Sequence, residues 1–127
     1  MKSIDHLLNR HYDPENYHCV HFVIEAAKDI FRLDYSESFI GLTSSLHETL
    51  KTSRNTVVKN RKLEKPIDGT IVLMTNANQS SHVGLFYCNR VLHLTESGAH
   101  FLPLITINRF YKRIRYYEPI TNFKESS

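Results

Sequence analysis

The chain has 127 residues, of which 41% are hydrophobic and 23% are charged, and its formal net charge is +3. This length is enough for one domain with a single hydrophobic core, and no apolar run is long enough to cross a membrane, so we expect no membrane insertion. The positive charge is mild and no nucleic-acid-binding motif accompanies it, so we expect no nucleic-acid partner.

We expect no secretion signal at the N-terminus. Residues 1–6 lack the apolar stretch of a signal peptide, so we expect synthesis in the cytoplasm and exit by lysis, in a virion or through a dedicated machine. Ser3 is positioned to cap a short helix over residues 4–9. Residues 13–18 are polar and turn-prone, and they predict a loop.

The next part of the chain has the periodicity of helices. From Cys19 to about Arg32, apolar residues recur at the spacing of one helix face. A second helix is predicted to begin at Ser36 and to continue through Leu50. Residues 51–65 are mostly basic and lack periodicity, which indicates an exposed connection.

The second half of the chain has the pattern of strands. Four strands are predicted, at residues 70–74, 82–88, 91–94 and 99–102. Asn89 and Arg90 form the predicted hairpin turn, and a short helix at 106–111 precedes a last strand at 114–117. Helices followed by antiparallel strands indicate an α+β fold with N-terminal helices packed on a β-sheet. We expect a single domain over residues 1–119 and a C-terminal tail over 120–127.

Cys19 is the candidate nucleophile because it lies at the front of the first predicted helix. A helix N-terminus carries partial positive charge and free N–H groups, which lower the pKa of a thiol and can bind an oxyanion. The alternative is a small buried hydrophobic residue, which is the commoner role for such a cysteine. Cys88 is the other cysteine, and a chain without a secretion signal gives little reason to expect a disulfide between the two.

Two histidines on adjacent strands are candidates for the partners of this cysteine. His82 opens a strand, and the small Gly84 lies on the same strand face, where it leaves space for a substrate or a neighbouring helix. His82 is predicted to act as general base for Cys19. His93 lies on the partner strand, from which it can orient the imidazole of His82 as the third member of a triad.

A zinc site is the alternative use of this segment, since His18 and His21 flank Cys19. Structural zinc sites usually need four well-spaced ligands, and the sequence contains no second ligand cluster. We therefore expect no metal and no cofactor.

The ordered set of motifs resembles the NlpC/P60 cysteine peptidases, especially the small members carried by phage tails. The family pattern of an aromatic residue, a cysteine and Phe-Val is matched over Tyr17–Val23. A Pro-x-x-Gly turn that leads into an apolar strand is matched over 66–74, and a His-Val-Gly strand over His82–Gly84. A second histidine before a Gly-containing turn is matched by His93 and Gly98. Thr70 departs from the pattern, which usually has aspartate there.

The resemblance covers residues 12 to about 117 and implies a papain-like fold with Cys19, His82 and His93 as the catalytic residues. It also implies a tyrosine hydroxyl that helps to bind the oxyanion, for which Tyr12 is the better candidate and Tyr17 the lesser one. The implied activity is that of a thiol protease which cleaves peptidoglycan stem peptides at the bond between D-glutamate and the diamino acid. The implied context is cell-wall degradation by a phage or prophage tail, with other tail proteins as partners.

Three alternatives to this function stay open. The protein could be a peptidoglycan amidase that cleaves between sugar and peptide, or a protease that acts on a virion protein. It could also be a non-catalytic structural module of a phage tail with the same fold.

Overall fold

The fold combines two α-helices with a six-stranded antiparallel sheet within residues 3–13, 15–39, 60–77 and 81–120, which are the residues that the computed structural model describes. Helix α1 spans Cys19–Phe31 and α2 spans Leu104–Phe110, and a 3-10 helix spans Ser36–Phe39. The strands are β1 (Lys62–Leu63), β2 (Ile71–Thr75), β3 (Ser81–Tyr87), β4 (Arg90–Thr95), β5 (Gly98–Pro103) and β6 (Arg113–Tyr117). Their order in the sheet is β1-β6-β2-β3-β4-β5. The α+β class predicted from the sequence is confirmed.

Helix α1 begins at Cys19 because two histidines cap it. The Nδ1 atom of His18 accepts the backbone N–H of Val20 at 3.3 Å, and Nδ1 of His21 accepts the backbone N–H of His18 at 3.2 Å. This reciprocal arrangement is a capping box built from imidazoles, and it satisfies two N–H groups that the helix leaves free. The helix ends where Arg32 adopts a left-handed conformation with φ of 59°. The predicted helix from Cys19 to about Arg32 is confirmed.

The two faces of the sheet pack against different helices. The apolar side of α1 covers the face that carries Leu73, Leu85 and Leu92, and these residues belong to the main core. The opposite face carries a smaller core cluster of Val72, Met74, Phe86, Val91 and the α2 residue Ile107. Side chains at even spacing along a strand share a face, so the register decides which helix each residue meets.

Four details differ from the prediction. Residues 5–9 form hydrogen-bonded turns rather than a helix. The predicted helix from Ser36 is a 3-10 turn up to Phe39, and its remainder lies outside the described residues. The exposed connection over 51–65 includes β1, which pairs with β6. Residues 88 and 89 form the hairpin turn, one position earlier than predicted, because both adopt the left-handed conformation that a two-residue hairpin requires.

The C-terminal boundary lies slightly beyond the predicted one. The hydroxyl of Ser38 accepts the backbone N–H of Ile120 at 2.9 Å, so residue 120 is attached to the domain rather than to the tail. The rest of the predicted tail lies outside the described residues. Within the described ranges, no helix is both long enough and apolar enough to cross a membrane.

Candidate active site

The thiol of Cys19 is completely buried where the front of α1 meets the sheet. The backbone N–H groups of Val83, and of Val20 and Cys19 at the helix front, lie close enough to the sulfur to favour its charged form and lower the pKa of the thiol. Val83 directly follows His82, so the α1 front brings the thiol to the amide next to the predicted base. These N–H groups are the donors that an oxyanion on a substrate carbonyl would need.

The sulfur reaches this amide because β3 and β4 are paired over only part of their length. The register joins Gly84 to His93 and continues to the hairpin turn, whereas residues 81–83 pair with β2 on the other side. At the other end of β4, Thr95 and its neighbours pair with β5. The front of α1 therefore meets β3 where β3 and β4 separate.

His82 projects from the sheet face opposite to α1. It pairs with Met74, a member of the α2-side cluster, and its ring meets Tyr111 edge-on with 6.3 Å between ring centroids. Its Nδ1 atom is buried and has no hydrogen-bond partner among the described residues. Burial lowers the pKa of His82, while the carboxylate of Glu96 acts in the opposite direction. The imidazole is therefore neutral at neutral pH and able to accept a proton.

His93 lies on the same sheet face as His82. It is on β4, displaced by two residues from the position directly opposite His82. It pairs with Gly84, and a Cβ atom on that glycine would lie 3.1 Å from Cβ of His93 and 2.7 Å from Val91. The space beside Gly84 is thus occupied by β4 side chains, and not by a substrate or a helix as the sequence suggested. No hydrogen bond joins the rings of His82 and His93 in the described structure. Instead, the ring of Tyr111 packs against both, with centroid-to-centroid distances of 6.3 Å to His82 and 6.4 Å to His93.

The environments of Tyr12 and Tyr17 differ sharply. The hydroxyl of Tyr17 donates to Glu25, which also accepts from the guanidinium of Arg10, so Tyr17 joins the N-terminal segment to α1. The hydroxyl of Tyr12 is buried and has no partner among the described residues. Burial, followed by the charges of Cys19 and Glu96, raises the pKa of Tyr12 to about 12. The hydroxyl of Tyr12 is protonated and close to Cys19, so it can serve as an oxyanion donor. The hydroxyl of Tyr17 could do so only by giving up its hydrogen bond to Glu25.

The protonation state of Cys19 differs from the expectation. Burial raises the pKa of the thiol to about 11 despite the three N–H groups directed at it. Desolvation disfavours the charged form of a thiol, and here it outweighs the effect of the helix front. The resting pair is therefore a neutral thiol and a neutral imidazole, because the pKa of His82 is also lowered by burial.

The histidines that flank Cys19 take part in the helix cap. The Nδ1 atoms of His18 and His21 both accept backbone N–H groups, so only their Nε2 atoms are left for another partner in this conformation. In the part of the chain that the structure describes, no three His, Cys, Asp or Glu side chains are grouped closely enough to hold a metal ion.

Two residues near the site were missed by the sequence analysis. Tyr111, at the end of α2, contacts the rings of His82 and His93, and the charge of Cys19 adds to burial in raising its pKa. Glu96, in the β4–β5 turn, acts electrostatically on His82 and Tyr12. Periodicity gives no signal for either residue. Glu96 lies three residues after His93 in a polar turn, and this closeness was the only hint available.

A cleft of about 350 Å³ opens beside His93 on the α2 side of the sheet, and Tyr111 forms one of its walls. His93 lines the cleft directly, and Tyr111 also contacts the ring of His82.

No model of a known protein family matches this chain, and a search of curated proteins finds no similar sequence.

Proposed function

We propose that the protein is a cysteine hydrolase with a papain-like NlpC/P60 fold. Its substrate would be an amide bond in peptidoglycan stem peptides, between D-glutamate and the diamino acid, and its context the tail of a phage or prophage. The motif resemblance supports the substrate and the context. The chemistry is supported mainly by one observation: the thiol of Cys19 lies beside the backbone N–H of Val83, the residue after His82.

In the proposed reaction, Sγ of Cys19 attacks the amide carbonyl carbon while His82 accepts the thiol proton. The new oxyanion is bound by the backbone N–H of Cys19 and by the hydroxyl of Tyr12. The intermediate collapses as His82 returns the proton to the leaving amine, and a thioester forms. Water then attacks the thioester, with His82 again as base, and releases the acyl product and the thiol.

The pKa values determine when the proton moves. Because the thiol pKa is about 11 and the imidazole is neutral, the proton is transferred during attack and not in the resting enzyme. His82 must be unprotonated to act as base, so the acid limb of the pH–rate profile should lie below pH 6.5. Glu96 favours the protonated ring that forms in the transition state, because its carboxylate acts to raise the pKa of His82.

Digestion of purified murein and of defined stem peptides, with mass analysis of the products, tests this proposal. We expect cleavage after D-glutamate by the wild-type protein and none by Cys19→Ala. Release of intact stem peptide from the sugar would instead indicate an amidase. Cleavage of a virion protein alone would indicate a virion protease.

A non-catalytic tail module is the second candidate, and the complete burial of Cys19 with its raised pKa favours it. The same burial is compatible with catalysis if substrate binding opens the site. Alkylation distinguishes the two functions: we expect iodoacetamide to react with Cys19 faster when a stem peptide is present at concentrations below saturation. A thiol that stays unreactive with and without peptide, in a protein that cleaves nothing, would favour the non-catalytic module.

A further inference from the structure

The cleft beside His93 has the composition of a ligand site and is not used by the proposed chemistry. It lies between β4, β5 and α2, and its volume of about 350 Å³ is at the small end of ligand pockets. Tyr111 lines the cleft and also packs against His82 of the candidate active site, with 6.3 Å between the two ring centroids. A group bound in the cleft would therefore lie beside Tyr111, which meets the ring of His82 and is near enough to Cys19 for the charge of that residue to raise its pKa.

One wall of the cleft presents hydrogen-bonding side chains. Nε2 of His100 lies 3.2 Å from the hydroxyl of Thr95 and 3.1 Å from that of Ser97, so these three side chains orient one another. His93 lies behind them, 3% exposed, and its Nδ1 atom has no hydrogen-bond partner among the described residues. A buried polar atom without a partner costs free energy, and a ligand that supplies a hydrogen bond would remove that cost.

The opposite wall is apolar. Leu102 and Ile107 form its base, and Phe110 extends beyond them with 66% of its surface exposed. The described residues that line the cleft include no Asp, Glu, Lys or Arg. A charged ligand group would lose water there without gaining a counter-charge, so the cleft selects against carboxylates and ammonium groups.

We infer that this cleft binds an uncharged sugar ring, an N-acetylhexosamine of the glycan strand, next to the peptide being cleaved. Such a ring has hydroxyl and amide groups for the polar wall and an apolar C–H face for Phe110. Its size matches a cleft that holds one ring and not a polymer. This inference rests on the proposed function, since it names the part of the substrate that lies beyond the stem peptide.

The test compares two soluble murein fragments that share one stem peptide, with and without the disaccharide. Their affinities are measured by calorimetry on the Cys19→Ala protein, which cannot turn them over. We expect the sugar-bearing fragment to bind about tenfold more tightly, which corresponds to about 1.4 kcal/mol. Adding Phe110→Ser to Cys19→Ala should remove most of this advantage, because the apolar face of the ring loses its contact.

Ile105→Ser is the matched control. Ile105 lies on the same helix with the same 66% exposure but does not line the cleft, so this change should keep the advantage. Equal affinity of the two fragments, no binding of the sugar-bearing fragment, or an advantage that survives Phe110→Ser would overturn the inference. So would a peptide-only fragment whose affinity depends on Phe110, because the cleft would then bind an amino-acid residue.

Failure of the two proposals can be told apart. If the sugar-bearing fragment binds with the expected advantage but the wild-type protein does not cleave it, the sugar site stands and the proposed hydrolase is wrong. If the fragment is cleaved but the sugar contributes no affinity, the hydrolase stands and the sugar site is wrong.

Discussion

The two faces of the sheet contribute different parts of the candidate site, and they are built in different ways. On the α1 face, Cys19 is positioned by one continuous segment, in which the neighbouring histidines cap the helix that the cysteine begins. On the α2 face, His82, His93 and Tyr111 come from β3, β4 and the end of α2 and meet only through the sheet register. The nucleophile is thus a product of local sequence, whereas the surroundings of the base are a product of tertiary structure.

The same comparison extends to electrostatics. Burial raises the pKa of Cys19 on one face and lowers the pKa of His82 and His93 on the other. Both faces therefore disfavour charge, and the lowered thiol pKa expected from the helix front is outweighed by burial. Cys19 belongs to the α1-side core and His82 to the α2 face, so the proposed proton transfer requires the two side chains to meet where β3 and β4 separate.

The largest expected effect comes from removing either member of this pair. Cys19→Ala and His82→Ala should each lower the rate of murein-fragment hydrolysis at least about 10³-fold, because nucleophile and base act as a unit. Cys88→Ala is the control, since Cys88 is exposed in the hairpin turn far from α1 in the chain, and it should keep the wild-type rate. Equal losses in both cysteine variants, with circular dichroism showing intact folds, would contradict the assignment.

Tyr12→Phe should lower kcat about 10²-fold with little change in KM, because it removes one oxyanion donor. The matched control is Tyr17→Phe. It should leave kcat within a few-fold of wild type while lowering the melting temperature, since the hydroxyl of Tyr17 binds Glu25. Steady-state kinetics measure kcat and thermal melts measure the melting temperature. A large loss of kcat in Tyr17→Phe, with kcat close to wild type in Tyr12→Phe, would assign the oxyanion role to Tyr17.

His93→Gln should lower kcat by about tenfold and leave a measurable remnant. His93 has no hydrogen bond to His82 in the described structure and acts on it through packing with Tyr111 and through electrostatics. Tyr111→Phe keeps the ring contact and should retain most of the activity. An inactive His93→Gln protein with an intact fold would show that the two rings form a hydrogen bond during catalysis.

The smallest effect expected is on stability. Burial lowers the pKa of both His18 and His93 from 6.5 to about 4. Between pH 6.5 and pH 4, these two histidines are therefore protonated in the unfolded chain and neutral in the folded protein. The unfolding free energy should fall as the pH falls through this window, by about 1.4 kcal/mol per pH unit for each histidine. Denaturant titrations at several pH values measure this slope, and His93→Gln should remove the contribution of His93. An unchanged slope in that variant would show that His93 is protonated in the folded state.

The sequence was sufficient for features that depend on local pattern. The apolar stripe predicted α1 and its first residue, and alternation with turn residues predicted β3 and β4 closely. It missed β1, whose two residues form a strand only because β6 lies beside them. It placed the hairpin turn one residue late because Cys88 is not a residue typical of left-handed positions.

The candidate site shows the same division. Cys19 and His82 were found from a helix front and a strand start, and Tyr12 from the family resemblance. Tyr111 could not be found, because its contact with both histidines depends on how α2 crosses the sheet. The pKa of Cys19 was wrong in direction because the depth of burial is set by the whole fold, which a motif does not contain.

The most direct test of the central claim, that Cys19 and His82 form a nucleophile–base pair, is rapid acid quenching during turnover of a stem peptide, followed by intact mass measurement and peptide mapping. The account predicts a thioester adduct with the mass of the acyl fragment on Cys19, present in the wild-type protein and absent from the Cys19→Ala and His82→Ala variants. An adduct on Cys88, or hydrolysis that continues at the wild-type rate in Cys19→Ala, would contradict it.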